Sequence, residues 1–149
     1  MSKWNENNVK ITFEALPENQ SLARAIAAAY LMPQDPTVEE LTEVKTAVSE
    51  AVSNAIIHGY KSKGSGQIIM ELLQPAPDKL VVKITDYGAG IADIRQAMEP
   101  LFTTSETPEL SGMGFTVMES FTDKVLVDSQ LGRGTCVTLA KTLDRYYAR

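Results

Sequence analysis

The chain has 149 residues, 44% of them hydrophobic and 22% charged, which is enough for one domain with one hydrophobic core. Its formal net charge of -5, without any cluster of Lys and Arg, argues against direct binding to nucleic acid or to a membrane. The N-terminus lacks the apolar segment of a signal peptide, and no apolar run approaches the ~20 residues of a membrane helix. We therefore expect a single cytoplasmic domain, residues 1–149, whose partner is a protein or a small molecule.

The first half of the chain predicts one strand and two helices. Residues 9–15 alternate apolar and polar side chains with a period of two, as a half-buried strand does. Residues 18–32 are rich in helix formers, and Arg24 among them is interpreted as a surface arginine whose stem packs against the protein. Thr37, followed by a glutamate three residues later, forms a capping box, and the helix that it starts runs to about Gly59.

The second predicted helix is apolar on almost every side in its last three turns. One narrow polar line remains, through Glu50, Asn54 and His58, with Ser49 and Ser53 beside it. A carboxylate on so covered a helix is costly unless it has a partner, a metal or a catalytic role. The alternative is a solvated edge where the carboxylate meets water, and the helix alone does not decide between the two.

Four further strands are predicted in the second half of the chain. Residues 67–74 and 79–85 are apolar and β-branched, and we expect them to pair antiparallel. Residues 124–129 and 135–141 predict a closing hairpin. Cys136 in the last strand has no cysteine with which to pair, and we expect it to be a packed core thiol.

Two short helices are expected between these pairs of strands, at about 92–98 and from 111 to 121. The loop that separates them, residues 100–110, is long enough to act as a lid. About five strands and four helices, interleaved along the chain, favour an α/β (α+β) two-layer sandwich. We expect a mixed, mostly antiparallel sheet that the helices cover on one face.

Two glycine-rich segments are candidates for ligand binding. Asp86 precedes Gly88 and Gly90, and such glycines let the backbone approach a flat ligand while the carboxylate accepts a hydrogen bond from an exocyclic amine. An ordinary turn is the alternative for this segment. Residues 111–114, Ser-Gly-Met-Gly, begin a helix whose unpaired amides suit a phosphate, although a plain glycine turn has the same sequence. Neither segment fits the usual phosphate-loop or dinucleotide pattern, so a nucleotide would bind by another scheme.

Three threonines complete the candidate site. Thr103 and Thr104 lie in the predicted lid, where their hydroxyl groups would either contact phosphate or be solvated. Thr135 follows Gly134 at the start of the last strand, and by itself this pair indicates only a turn.

The order of these segments resembles a known family. Glu-x-x-x-Asn, Asp-x-Gly-x-Gly, a loop, Gly-x-Gly and Gly-Thr follow one another as in the ATP-binding fold of gyrase B, the 90 kDa heat-shock chaperone, histidine kinases and the mismatch-repair MutL proteins. Residues 48–60, 100–104 and 111–119 are similar to the anti-sigma-F factors of spore-forming bacteria, which bind a sigma factor and are also serine kinases. The resemblance covers residues 9–141.

This resemblance implies ATP or ADP and Mg²⁺ as cofactors and a role for each segment. Glu50 would be the general base that takes the proton of the attacking serine, and Asn54 would bind the Mg²⁺ that bridges the phosphates. Asp86 would bind the adenine amine. The other nucleotide contacts that it implies are Gly88, Gly90, Ile91, Thr103, Thr104, Ser111, Gly112, Met113, Gly114, Phe115 and Thr135.

The resemblance also implies partners. Arg24 would contact a sporulation sigma factor of the sigma-F type and an anti-anti-sigma protein whose serine is phosphorylated, and the chain would form a homodimer. Gln20 replaces an acid of the family, and Ser105 and Leu110 stand where a Lys and an Arg are expected. A cation in the lid would neutralise charge on the transferring phosphoryl group, so its absence bears on the kinase rate more than on nucleotide binding.

Three alternative functions stay open. One is a nucleotide-dependent sigma-binding protein with weak or no kinase activity, and another is a stress-response anti-sigma serine kinase. The third is the catalytic domain of a histidine kinase, which is disfavoured because no dimerisation domain is evident and the single histidine, His58, lies on the line of Glu50.

Overall fold

The structure, a computed structural model, describes residues 6–99 and 114–144. Its strands are β1 (Val9–Glu14), β2 (Gln67–Ala76), β3 (Lys79–Asp86), β4 (Lys124–Gln130) and β5 (Gly134–Thr142). Its helices are α1 (Asn19–Leu31), α2 (Val38–Asn54), α3 (Ile94–Ala97) and α4 (Gly114–Phe121). A 3₁₀ turn, Met32–Gln34, follows α1, and a π-helical turn, Ala55–Gly59, follows α2.

The five strands form one open sheet in the order β1-β2-β3-β5-β4. Every pairing in it is antiparallel, so the expected two-layer α/β sandwich is confirmed but the sheet is not mixed. The reason is the place of β5. β3 and β4 run in the same direction, but β5 returns between them and pairs with both, so the two never form a parallel ladder.

The hydrophobic core lies between one face of the sheet and the helices. α2 packs between α1 and α4 and lies over β3, and its Val48 and Val52 are fully buried. Alternate residues of the central strands pack in the same core from the sheet side, among them Ile68, Met70 and Val82. This packing fixes α2, and with it the position of the polar line through Glu50 and Asn54.

The predicted capping box at the start of α2 is confirmed. Thr37 Oγ1 accepts a hydrogen bond from the amide of Glu40 at 3.0 Å, and Glu40 Oε1 accepts one from the amide of Thr37 at 2.9 Å. Glu40 is only 6% exposed, and its second oxygen accepts a hydrogen bond from the amide of Asp144 at 2.7 Å. One buried carboxylate therefore satisfies backbone donors from two distant parts of the chain.

Two local predictions need correction. Cys136 is partly exposed rather than packed in the core, because strand alternation turns its neighbours Thr135 and Val137 towards the helices and Cys136 away from them. α3 is one turn long and begins at Ile94 rather than at about residue 92, because Asp93 caps it by accepting a hydrogen bond from the amide of Gln96 at 3.0 Å.

None of the helices within the two described ranges is long and apolar enough to cross a bilayer.

Candidate functional site

The helix that carries the polar line changes its geometry at Asn54. There α2 ends, and the chain continues in the π-helical turn, where the amide of Tyr60 donates to the carbonyl of Ala55 at 2.9 Å. A π turn holds more residues than an α turn, so the α-helical spacing from which the position of His58 was predicted does not apply after Asn54. Glu50 and Asn54 share one face of α2 as predicted, and His58 follows them in the π turn.

A cavity of about 300 Å³ opens at this end of α2. The end of α2 and the π turn form one wall, and β3 and β5 form the floor. The segment after β3, together with α3, forms a second wall, and the start of α4 forms a third. Its volume is at the lower limit of those of small-molecule sites.

Seven of the predicted site residues line this cavity: Asn54, Asp86, Gly90, Ile91, Gly114, Phe115 and Thr135. Glu50 and Gly88 are not among the lining residues. Glu50 lies one helical turn before Asn54 and Gly88 lies two residues after Asp86, and both Asn54 and Asp86 line the cavity. The remaining predicted contacts lie outside the described residues: Thr103, Thr104, Ser111, Gly112 and Met113.

Asp86 provides the polar group of the floor. It is 5% exposed, and its carboxylate accepts hydrogen bonds from the backbone amides of Gly88, at 2.9 Å, and of Thr135. Burial raises the pKa of this carboxyl, and the two amides oppose the rise because they favour the charged form. The result is a fixed hydrogen-bond acceptor at an otherwise apolar end of the cavity.

The close contact between the π turn and the segment after β3 requires two glycines. A Cβ on Gly88 would lie 2.0 Å from the carbonyl oxygen of Gly59, and a Cβ on Gly59 would lie 2.8 Å from the Asp86 carboxyl group. The amide of Ala89 donates to that same carbonyl of Gly59 at 2.8 Å. Gly88 therefore contributes by packing rather than by contact with a ligand. Gly59 was not predicted as a site residue, although its place between His58 and Tyr60 marks the end of the helix.

A hydroxyl group that was not predicted joins the two halves of the cavity rim. Ser129 Oγ in β4 accepts a hydrogen bond from the amide of Ile91 at 2.7 Å. It also lies 3.0 Å from the carbonyl oxygen of Gly134 and 2.7 Å from Thr135 Oγ1. A serine in a strand gives no sequence signal for such a role. Its contacts with Gly134 and Thr135 lie within the β4–β5 hairpin, whereas the contact with Ile91 joins positions 38 residues apart and depends on the tertiary fold.

The start of α4 lies against Asn54. A Cβ on Gly114 would be 3.0 Å from Asn54 Oδ1, so glycine allows the first turn of α4 to approach the amide side chain. No group of three or more His, Cys, Asp or Glu within residues 6–99 and 114–144 is placed to hold a metal.

Three ionisable side chains lie on or beside the wall that α2 and the π turn form. Glu50 is half-buried one turn before Asn54, and burial raises the pKa of its carboxyl above the ordinary value. His58 and Lys61 line the cavity. Burial, and secondly the charge of Lys61, lower the pKa of His58, which favours a neutral imidazole.

Arg24 lies apart from the cavity on α1. Its guanidinium group donates hydrogen bonds to Ser49 Oγ in α2 at 2.8 Å and to Ser21 Oγ at 2.9 Å. Arg24 is thus packed on the protein surface as predicted, and one of its contacts is with Ser49, the residue that precedes Glu50.

Comparison with known proteins identifies the family. The model of the histidine kinase-like ATPase domain matches residues 13–141. The chain is 48% identical over 136 residues to the anti-sigma F factor of Lysinibacillus sphaericus, covering 91% of this chain and 92% of that protein. It is 47% identical over 139 residues to the anti-sigma F factor of Clostridium beijerinckii, with 93% and 96% covered.

Solved structures agree on the fold. The RsbU and RsbW domains of Rv1364c from Mycobacterium tuberculosis give a TM-score of 0.69 at 20% identity, covering 94% of this chain and 33% of that one. The mycobacterial sensor histidine kinase MprB gives a TM-score of 0.58 at 15% identity, with 93% and 100% covered. The family match and the relatives above show that the chain belongs to the histidine kinase-like ATPase family and, within it, to the anti-sigma F factors.

Proposed function

We propose that the protein is an ATP-dependent anti-sigma factor and serine kinase of the cytoplasm. As a homodimer loaded with Mg²⁺ and ATP, it holds a sporulation sigma factor of the sigma-F type. It also transfers the γ-phosphoryl group of ATP to a serine of its anti-anti-sigma antagonist. The names of the relatives support the sigma-factor partner, and the geometry of the cavity supports the nucleotide and the kinase roles.

The adenine end of the nucleotide is assigned to the floor of the cavity. Asp86 is buried there with a fixed carboxylate, which accepts a hydrogen bond from the exocyclic amine of the base. Apolar neighbours, among them Ile84, Ile91 and Val137, line the same cavity and suit a flat aromatic ring.

The phosphate end is assigned to the opposite side, between Asn54 and the start of α4. The amide oxygen of Asn54 lies against the start of α4, and the first backbone amides of α4 have no partner within the helix and lie at the positive end of its dipole. When bound, Mg²⁺ neutralises charge on the phosphate oxygens. His58 and Lys61 line the wall between the two ends, and Lys61 adds a positive charge to it.

The kinase role depends on one observation, the position and burial of Glu50. It lies one helical turn before Asn54 on the same face of α2, and its half-buried carboxyl has a raised pKa. A carboxylate whose pKa is raised towards neutrality is a better general base than a solvated one. Glu50 would therefore take the proton of the serine hydroxyl as that oxygen attacks phosphorus.

A second candidate function is a nucleotide-dependent binding protein without useful kinase activity. It is favoured by the composition of residues 103–111, which contain no Lys or Arg. Positive charge on a closing segment stabilises the transferring phosphoryl group, and its absence would slow transfer while leaving nucleotide binding intact.

One experiment separates the two functions. The purified protein is incubated with γ-labelled ATP and a purified anti-anti-sigma protein, and in parallel with a sigma factor of the sigma-F type and one of the stress-response type. We expect label on a serine of the anti-anti-sigma protein and ATP-dependent retention of the sigma-F type. Retention of a sigma factor without label on the anti-anti-sigma protein would support a binding protein without kinase activity. Retention of the stress-response sigma factor alone would change the assigned partner.

A further inference from the structure

Ser129 holds a position that the proposed function does not yet use. It pairs in register with Thr135 across β4 and β5, and it is not among the residues that line the cavity. Its single hydroxyl group contacts three groups of the rim: the amide of Ile91, the carbonyl of Gly134 and the hydroxyl of Thr135.

The number of available protons determines the direction of these hydrogen bonds. The amide of Ile91 can only donate, at 2.7 Å, and the carbonyl of Gly134 can only accept, at 3.0 Å. If the one proton of Ser129 goes to Gly134, the 2.7 Å contact with Thr135 requires a proton from Thr135. This arrangement makes hydrogen bonds of all three contacts, whereas donation from Ser129 to Thr135 would leave the contact with Gly134 without a proton.

We infer that Ser129 is a positioning residue for base selection, which turns the hydroxyl proton of Thr135 away from the cavity. Thr135 then presents only lone pairs to a ligand, beside the carboxylate of Asp86, which also accepts. This end of the cavity selects a purine with an exocyclic amine over one with a carbonyl oxygen at the same position. The inference rests on the proposed placement of the base against Asp86 and Thr135.

Adenine and hypoxanthine differ at this position in the required way. The amine of adenine has two hydrogens to donate, one for each acceptor. The carbonyl oxygen of hypoxanthine has none, so in the same pose it would face two acceptors and leave them unpaired. Rejection by unpaired buried acceptors is stronger than rejection by a small change of shape.

The test compares ATP with inosine triphosphate, each with Mg²⁺, by titration calorimetry of the whole chain. In Ser129→Ala, the Thr135 proton is free to turn towards the carbonyl oxygen, and we expect the preference for ATP to fall about three- to tenfold. Ser129→Thr keeps a hydroxyl group and should keep the preference. Ser120→Ala is the matched control, because Ser120 is exposed on α4 and its hydroxyl donates to the carbonyl of Thr116 in the same helix.

The ratio of the two affinities separates positioning from support of the fold. Loss of the hydrogen bond to the amide of Ile91 in Ser129→Ala would by itself weaken the binding of both nucleotides by the same factor. An unchanged ratio of the two affinities would therefore overturn the inference. If that variant does not fold, Thr135→Val gives the second measurement. Removal of the Thr135 acceptor should also reduce the preference, and an unchanged preference would overturn the inference. Wild-type protein that binds no ATP would overturn the proposed nucleotide function together with this inference.

Discussion

Two carboxyl groups of this molecule are buried in the same region but have different surroundings. Burial raises the pKa of both Asp86 and Glu50. Asp86 is held by two backbone amides that favour its charged form, whereas burial is the only cause of the shift at Glu50. A carboxylate held by donors serves as a fixed acceptor, and one without them is freer to take up a proton. The two residues are therefore suited to base recognition and proton transfer respectively.

Asp86→Asn is expected to weaken ATP binding about 10- to 100-fold, because a charged acceptor is replaced by an amide of similar size. Asp128→Asn is the control, since Asp128 is exposed on the opposite face of β4. Calorimetry measures both affinities. Native affinity in Asp86→Asn would remove the base-binding role of this residue.

ATP binding should also depend on pH through Asp86. Because burial raises its pKa, we expect affinity to fall as pH drops through a window above the ordinary range of aspartate. The effect on stability has the opposite sign. The folded chain binds the proton more tightly, so this contribution to stability is present at low pH and is lost as pH rises through the raised pKa. Titrations across this window should find both trends in the wild type and weaker trends in Asp86→Asn, in which the carboxyl of Glu50 still has a raised pKa.

Glu50→Gln is expected to reduce serine phosphorylation about 100-fold or more while ATP affinity is retained, because glutamine cannot accept the proton. Glu39→Gln, in the exposed first turn of the same helix, is the control. The wild-type rate should decline in acid as Glu50 becomes protonated. Unchanged transfer in Glu50→Gln would exclude Glu50 as the base.

At the scale of elements, local sequence predicts some features of the fold and not others. The capping box of α2 was predictable because its two hydrogen bonds join residues three apart, Thr37 and Glu40. The π turn after Asn54 was not, because the same apolar spacing fits an α-helix. Its end is fixed by the contact of Gly59 with Gly88 and Asp86, which are distant in the chain. The contact of Ser129 with Ile91 could not be predicted for the same reason.

Glu40→Ala tests how far one buried side chain holds these elements together. It removes the acceptor of the Thr37 and Asp144 amides, and we expect unfolding free energy to fall by about 2 kcal/mol or more. Glu39→Ala, at the exposed neighbouring position, should change it by about 0.5 kcal/mol at most. Urea denaturation followed by circular dichroism measures both. Equal effects would mean that helix propensity, and not the buried contacts, determines the loss.

At the scale of the whole molecule, the layers and the sandwich were predictable from periodicity, and seven of the residues that line the cavity were predictable from the motifs and the family resemblance. The strand order was not, because antiparallel neighbours have the same alternation whether β4 or β5 pairs with β3. The contact of Arg24 with α2 could not be predicted from the sequence either. Its sequence context is an amphipathic helix, and only the packing of α1 on α2 places it beside Ser49.

A variant of Arg24 can separate partner binding from nucleotide binding. Arg24 lies outside the cavity, so we expect Arg24→Ala to reduce sigma-factor affinity about tenfold or more while ATP affinity stays unchanged. Lys45→Ala removes an exposed cation from α2 and is the control. If ATP strengthens sigma-factor binding by some factor, the sigma factor must strengthen ATP binding by the same factor. Calorimetric titration of each ligand, with and without the other, measures this coupling. Full sigma-factor affinity in Arg24→Ala would place the partner surface elsewhere.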